Sequence, residues 1–72
     1  MIDMTYDPDA DAAYIRIAAG KVAETSEAGP FVYDMDERGR VLGIEILAAS
    51  RTLAPGAWRD APLPGRVSDA AE

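Results

Sequence analysis

The stretch Tyr33-Asp34-Met35-Asp36-Glu37-Arg38-Gly39-Arg40-Val41-Leu42-Gly43-Ile44-Glu45-Ile46-Leu47 reads as strand, tight turn, strand. Asp36-Glu37-Arg38-Gly39 matches a type I turn with Asp at its first position and Gly at its last, and Gly39 is expected at positive φ as a bulge residue. Pairing the strands through that turn opposes Asp36 to Arg40, Met35 to Val41, Tyr33 to Gly43, Val32 to Ile44 and Phe31 to Glu45. Tyr33 would then cover the gap that Gly43 leaves inside a strand. The same register puts Phe31, Tyr33, Met35 and Val41 on one face and Val32, Leu42, Ile44 and Ile46 on the other. Both faces are therefore expected to be apolar. An antiparallel sheet standing alone usually keeps one polar face for solvent, so the second face is expected to meet another copy of the chain or a different protein.

Upstream, Ile2, Met4 and Tyr6 alternate with Asp3 and Thr5, the period of a half-buried strand. Asp7-Pro8-Asp9-Ala10 follows as a type I turn signal, because Asp suits the first position and Pro presets φ at the second. Ala13, Ile15 and Ile17 alternate with Tyr14 and Arg16 as the next strand, ending near Gly20. Lys21-Val22-Ala23-Glu24-Thr25 is a weaker strand candidate, polar enough for an edge, and Ser26-Glu27-Ala28-Gly29-Pro30 is read as its break. Downstream, Ala48-Ala49-Ser50-Arg51-Thr52-Leu53 has helix-compatible composition and stops before Pro55-Gly56. The expected architecture is α+β, mainly β: an antiparallel sheet of about four strands in hairpins, followed by one short helix.

Two units are expected along the chain, a sheet-plus-helix domain over 1–53 and a Pro/Gly/Ala-rich tail over 54–72, flexible or loosely docked. Within that tail Trp58, with Leu63 and Val67, is a candidate clamp for the second sheet face.

Size and charge narrow the function classes. A core built from 72 residues rarely supplies more than about 3–5 kcal/mol without a staple. The chain has no Cys and no His, which closes the disulfide and structural-zinc routes. Oligomerisation remains. Seven Lys and Arg against thirteen Asp and Glu leave a net charge of −6, which repels nucleic-acid phosphates and anionic membrane surfaces. The first residues lack the basic start and apolar run of a signal peptide, and no apolar run is long enough to span a bilayer. A cytoplasmic protein is the expectation.

Candidate chemistry is thin. Asp7, Asp9 and Asp11 have the spacing that opens an EF-hand loop, but Ala12 and Ala18 stand where that loop needs Gly and a bidentate Glu. They are read as turn-forming carboxylates, and no metal site is assigned. Asp34, Asp36 and Glu37 gather carboxylates near the hairpin tip, with Arg38 and Arg40 close enough to neutralise them. Glu45 lies inside the last strand, and Arg16 is its expected counter-ion across strands. Ser26, Ser50 and Ser68 have no His or Cys to activate them, Lys21 is the only lysine, and Gly39 and Gly43 precede no helix that could hold a phosphate.

The combined pattern carries a resemblance. Tyr6 to Ile17, Lys21 to Thr25, and Asp34 to Ser50 resemble the domain-of-unknown-function 2283 family of small, mostly bacterial proteins, over residues 4–53. The resemblance implies a compact antiparallel sheet with a short helix and no established enzymatic activity or catalytic motif. For some members it implies an antitoxin-like role, on gene context alone. The expected function is a non-enzymatic interaction module that homodimerises and binds a protein partner, such as a basic toxin-like protein, with no cofactor. The alternative is a small hydrolase or ligand-binding protein using Glu45, Asp34 and Asp36 at a dimer cleft.

Overall fold

The computed structural model describes residues 2–63. Five antiparallel strands form one sheet: β1 (Asp3–Asp7), β2 (Ala12–Arg16), β3 (Glu24–Ala28), β4 (Phe31–Met35) and β5 (Val41–Ile46), followed by α1 (Ala49–Thr52). Their spatial order is β1-β2-β5-β4-β3. The last strand in sequence thus fills the centre, between two hairpins. Among the described residues no helix is long and apolar enough to cross a membrane.

The β4–β5 turn follows the sequence reading. Gly39 takes φ 78°, and its N–H donates to Asp36 O at 3.0 Å while Asp36 N–H donates to Arg40 O at 2.9 Å. Beyond the turn the strands depart from the expected register. Met35 opposes Val41, but Asp34 opposes Gly43, Tyr33 opposes Ile44, Val32 opposes Glu45 and Phe31 opposes Ile46, with a bulge between Asp34 and Met35. Leu42 is the extra residue. A bulge inserts one residue into one strand and re-aims everything past it. The carbonyl of Leu42 is not wasted, since it accepts the N–H groups of Ile17 at 2.8 Å and Ala18 at 3.1 Å from the segment that leaves β2.

That single insertion overturns the expectation of two apolar faces, because paired residues share a face and a one-residue slip exchanges the faces. The pairings place Met4, Tyr6, Ala13, Ile15, Ile44, Ile46, Phe31 and Tyr33 on one side. The other side carries Asp3, Thr5, Tyr14, Arg16, Glu45, Val32, Asp34, Thr25 and Glu27. One face is apolar and one is polar.

The third strand also moves, from the expected Lys21–Thr25 to Glu24–Ala28. Gly29-Pro30 is the whole loop between the paired residues Ala28 and Phe31, and Gly29 takes φ 62°. A positive φ at the first central position, followed by the fixed φ of proline, suits a two-residue II′ hairpin turn. Pairing counted back from that turn draws Ser26, Glu27 and Ala28 into the strand, and their polar composition is tolerated because every residue of β3 is exposed.

The core lies on the apolar face under α1. Ala13, Ile46 and Ala49 are its buried centre, with Met4, Tyr6, Ile15, Phe31, Ile44 and Leu53 packed around them. Burying a side chain the size of Ile46 contributes about 1.5–3 kcal/mol. The four-residue α1 covers only part of this face, and among the described residues no large side chain is fully buried. Trp58 joins the same side: its ring lies 5.9 Å from that of Tyr6, and Tyr6 N–H donates to Pro62 O at 2.9 Å. The expected clamp on the second face is therefore corrected: Trp58 adds to the first face and Leu63 is exposed, while Val67 lies outside the described residues.

Candidate functional site

Asp7, Asp9 and Asp11 serve structure. Asp7 Oδ1 accepts the Asp9 N–H at 3.0 Å, an Asx turn that shapes the loop between β1 and β2. Asp11 takes φ 52° and reaches across the fold to the start of α1. Its Oδ2 accepts the Ser50 hydroxyl at 2.6 Å and its Oδ1 the Ser50 N–H at 3.1 Å, while its backbone carbonyl accepts the Ala49 N–H at 2.8 Å. Ala48 at the N-cap provides no side-chain cap, so Asp11 supplies the oxygen that orphan helix N–H groups need. The Tyr6 hydroxyl donates to the same carboxylate at 2.7 Å. These bonds hold the Asp11 carboxyl below its ordinary pKa, with the Ser50 hydroxyl the main cause and the Tyr6 hydroxyl next.

Asp36 is committed to its own turn. Its Oδ1 accepts the N–H groups of Arg38 at 2.9 Å and Arg40 at 3.0 Å, and its Oδ2 meets Arg40 Nε at 3.0 Å. The Arg40 and Arg38 backbone bonds and the Arg40 side chain lower its pKa. Lys21, Glu37, Arg38 and Arg40 surround Asp36 in a shallow, open depression of mixed charge.

Asp34 does not join Asp36. It belongs to the polar face, where its Oδ2 accepts the Tyr14 hydroxyl at 2.9 Å and its Oδ1 the Thr25 hydroxyl at 3.4 Å. To reach Asp34, the Tyr14 phenol passes over Gly43, and a Cβ at that position would overlap it. The strand glycine is thus covered by an aromatic, as its sequence context suggests, but by Tyr14 of β2 and not by Tyr33. The bulge moves Tyr33 opposite Ile44, on the apolar face, and sets Gly43 opposite Asp34 on the polar face. Desolvation, first, and then the bond to Asp34 push the Tyr14 pKa up to about 12, with the charge of Glu45 adding to the rise.

Glu45 sits between Tyr14 and Val32 in the ladder, half-buried. Its expected partner is elsewhere, since Arg16 contacts Asp3 at 3.6 Å. The reason is again register: Arg16 opposes Asp3 on one side and Gly43 on the other. At that distance and exposure the pair contributes little, and Asp3 Oδ1 is left buried without a hydrogen-bond partner.

Of the three carboxylates proposed to act together, the structure brings Glu45 opposite Tyr14 in β5 and Asp34 to its hydroxyl from β4, both on the same side of the tyrosine, and holds Asp36 apart in the turn. Among the described residues no group of three His, Cys, Asp or Glu is placed to hold a metal ion. The assembled surface is a flat patch in which Asp3, Asp34, Glu45 and Glu27 outnumber Arg16 around a central tyrosine. Sequence reasoning missed Tyr14 as its organiser. The available signal was an aromatic in the strand next to a glycine-bearing one, ambiguous until the strand order was known.

Comparison with curated proteins and with solved structures finds no match for this chain. A family model described as "Protein of unknown function (DUF2283)" matches residues 3–50, a span that takes in all five strands and the start of α1, and the chain belongs to that family.

Proposed function

We propose that this protein is a non-enzymatic interaction module of the bacterial cytoplasm, self-associating through its apolar sheet face and presenting its acidic face to a basic protein partner. The observation that carries the reading is the unfinished apolar side: Met4, Ile15, Ile44, Phe31 and Tyr33 are only half-buried beneath a one-turn helix. A second copy laid on this face would complete the layer that a sheet needs. On the opposite face, the carboxylates around Tyr14 suit a partner rich in Lys and Arg, since complementary charge speeds encounter and an aromatic at the centre is a common anchor. An acidic member that neutralises a basic toxin-like protein would use such a surface.

Sedimentation of the purified protein tests self-association directly. The expected species at micromolar concentration has at least twice the 7.7 kDa mass of the chain; a single-chain mass with a cooperative melt would sink the reading. The partner claim predicts salt-sensitive binding to a basic protein encoded by the adjacent gene, lost in Glu45→Lys. If that neighbour does not bind, or binds equally to Glu45→Lys, the acidic face is not the docking surface.

A further inference from the structure

We propose that β3 is an open sheet edge that pairs antiparallel with β3 of a second copy, centred on Ser26, so that two five-stranded sheets become one continuous sheet. The inference rests on the self-association proposed above and names a second surface for it.

The two edges of the sheet are not equivalent. At β1 the outward N–H of Tyr6 is taken by Pro62 O from the chain's own downstream segment. At β3 all five residues are exposed; the strand holds neither Lys nor Pro, and its charges Glu24 and Glu27 blunt the edge only against a partner that sets a like charge opposite them.

Ladder alternation identifies the backbone groups that have no partner among the described residues. The two-residue turn makes Ala28 and Phe31 a hydrogen-bonded pair, so Ala28, Ser26 and Glu24 bond inward to β4 while Thr25 and Glu27 point their N–H and C=O outward. The bond from Leu47 N–H to Pro30 O at 2.8 Å, on the β5 side of β4, agrees with this phase. At the far end Met35 O faces β3 but accepts from Ala23 N–H at 2.8 Å, one residue beyond its ladder partner Glu24, so the regular alternation ends at Glu24.

The charges then select a register for self-pairing. Centred on Ser26, the outward residues meet each other, Thr25 opposite Glu27 of the second copy and the reverse, giving about four inter-chain N–H···O bonds. Glu24 faces Ala28, Ser26 faces Ser26, and no glutamate faces a glutamate. Centring on Glu24 or Glu27 would oppose like charges, and centring on Thr25 would pair fewer residues of the strand. The dyad stands perpendicular to the sheet, so both apolar faces lie on the same side and both acidic faces on the other.

The chain has no cysteine, which makes single-thiol cross-linking a register-specific test. In the proposed pairing, Ser26 meets its own copy in a non-hydrogen-bonded pair with Cα atoms about 4.5 Å apart, within disulfide reach. Mild oxidation of Ser26→Cys is expected to yield a covalent dimer at least tenfold faster than Thr25→Cys or Glu27→Cys, which do not meet their own copies. Equal rates at the three positions would overturn the proposal. Independently, Thr25→Pro removes an outward donor while leaving the β3–β4 ladder intact. It is expected to keep its circular dichroism spectrum and melting temperature while the mass of the assembly halves; an unchanged mass in the folded variant would overturn it. If Thr25→Pro leaves the mass unchanged but Phe31→Ser lowers it, the apolar-face reading stands and the edge proposal falls. Selective Ser26→Cys cross-linking, with a mass indifferent to Phe31→Ser, leaves the edge pairing standing and removes the apolar-face contact.

Discussion

The two faces of the sheet are made from alternate residues of the same strands, yet they are held together by different physics. The apolar face around Ala13 and Ile46 is cohesive because area is removed from water, and α1 is pinned over it by the Asp11 carboxylate. The polar face has no covering layer among the described residues. Its order comes from polar side-chain contacts: the Tyr14 hydroxyl donates to Asp34 across Gly43, Thr25 meets the same carboxylate, and Arg16 pairs with Asp3. Changes on the first face should therefore be felt as stability, and changes on the second as local geometry and recognition. One residue sets which side chains belong to which face: without Leu42 as a bulge, Ile44 and Ile46 would turn to the side that Tyr14 and Glu45 occupy.

The largest effect is expected from Ile46→Asp. Ile46 is 3% exposed, and an unpaired carboxylate there should cost about 4 kcal/mol or more. For a domain of this size that abolishes the folded state, visible as loss of the cooperative urea transition. If Ile46→Asp melts like the wild type, the apolar face is not the source of stability.

Next comes Gly43→Ala, which forces the Tyr14 phenol off its seat. A loss of about 1–2 kcal/mol is expected from the displaced ring and the broken bond to Asp34. The same substitution in a Tyr14→Ala background should cost much less, and a double-mutant cycle measures the difference. Additivity would show that the two residues do not interact.

Tyr14→Phe is expected to cost about 0.5–1.5 kcal/mol, toward the lower end because the site is only half-buried. It also has a pH signature. The folded-state pKa is raised to about 12 from 10.0, so between those values the unfolded chain loses its proton while the folded one keeps it. The stability present below pH 10 is accordingly lost as pH rises toward 12. That decline should be shallower in Tyr14→Phe, and an identical alkaline profile would assign it to other groups.

The smallest change in stability, within about 0.5 kcal/mol, is expected for Glu45→Lys, which has no hydrogen-bond or ion-pair partner among the described residues to lose. A large destabilisation would make Glu45 a structural residue and remove it from the recognition surface.

Two aspartates show what could be read from the chain alone. Asp36 acts on residues two and four places away, so the Asp-Glu-Arg-Gly pattern was sufficient to place the turn, its glycine and its arginines. Asp11 acts on Ser50, thirty-nine residues away, and nothing in Asp7-Pro8-Asp9-Ala10-Asp11 distinguishes a turn carboxylate from a helix cap. The same divide separates β3 from the other strands: alternation located β1, β2, β4 and β5 closely, whereas β3 has too few apolar residues to alternate and is defined by where Gly29-Pro30 folds it back. Asp34 and Glu45 were recognisable as candidates, but their grouping around Tyr14 required β2 and β5 to be neighbours.

Local pattern, then, determined a mainly β chain with a hairpin turning at Asp36-Glu37-Arg38-Gly39, a short helix, an acidic charge and no thiol or imidazole chemistry, because turn dihedrals and period-two alternation act over a few residues. Tertiary structure alone decided the register past Leu42, the division into one apolar and one acidic face, the Arg16–Asp3 pairing and the seat of Tyr14. Those features depend on which strands lie side by side, and a bulge is selected by the packing energy of the whole sheet. No residue within Val41-Leu42-Gly43 declares it.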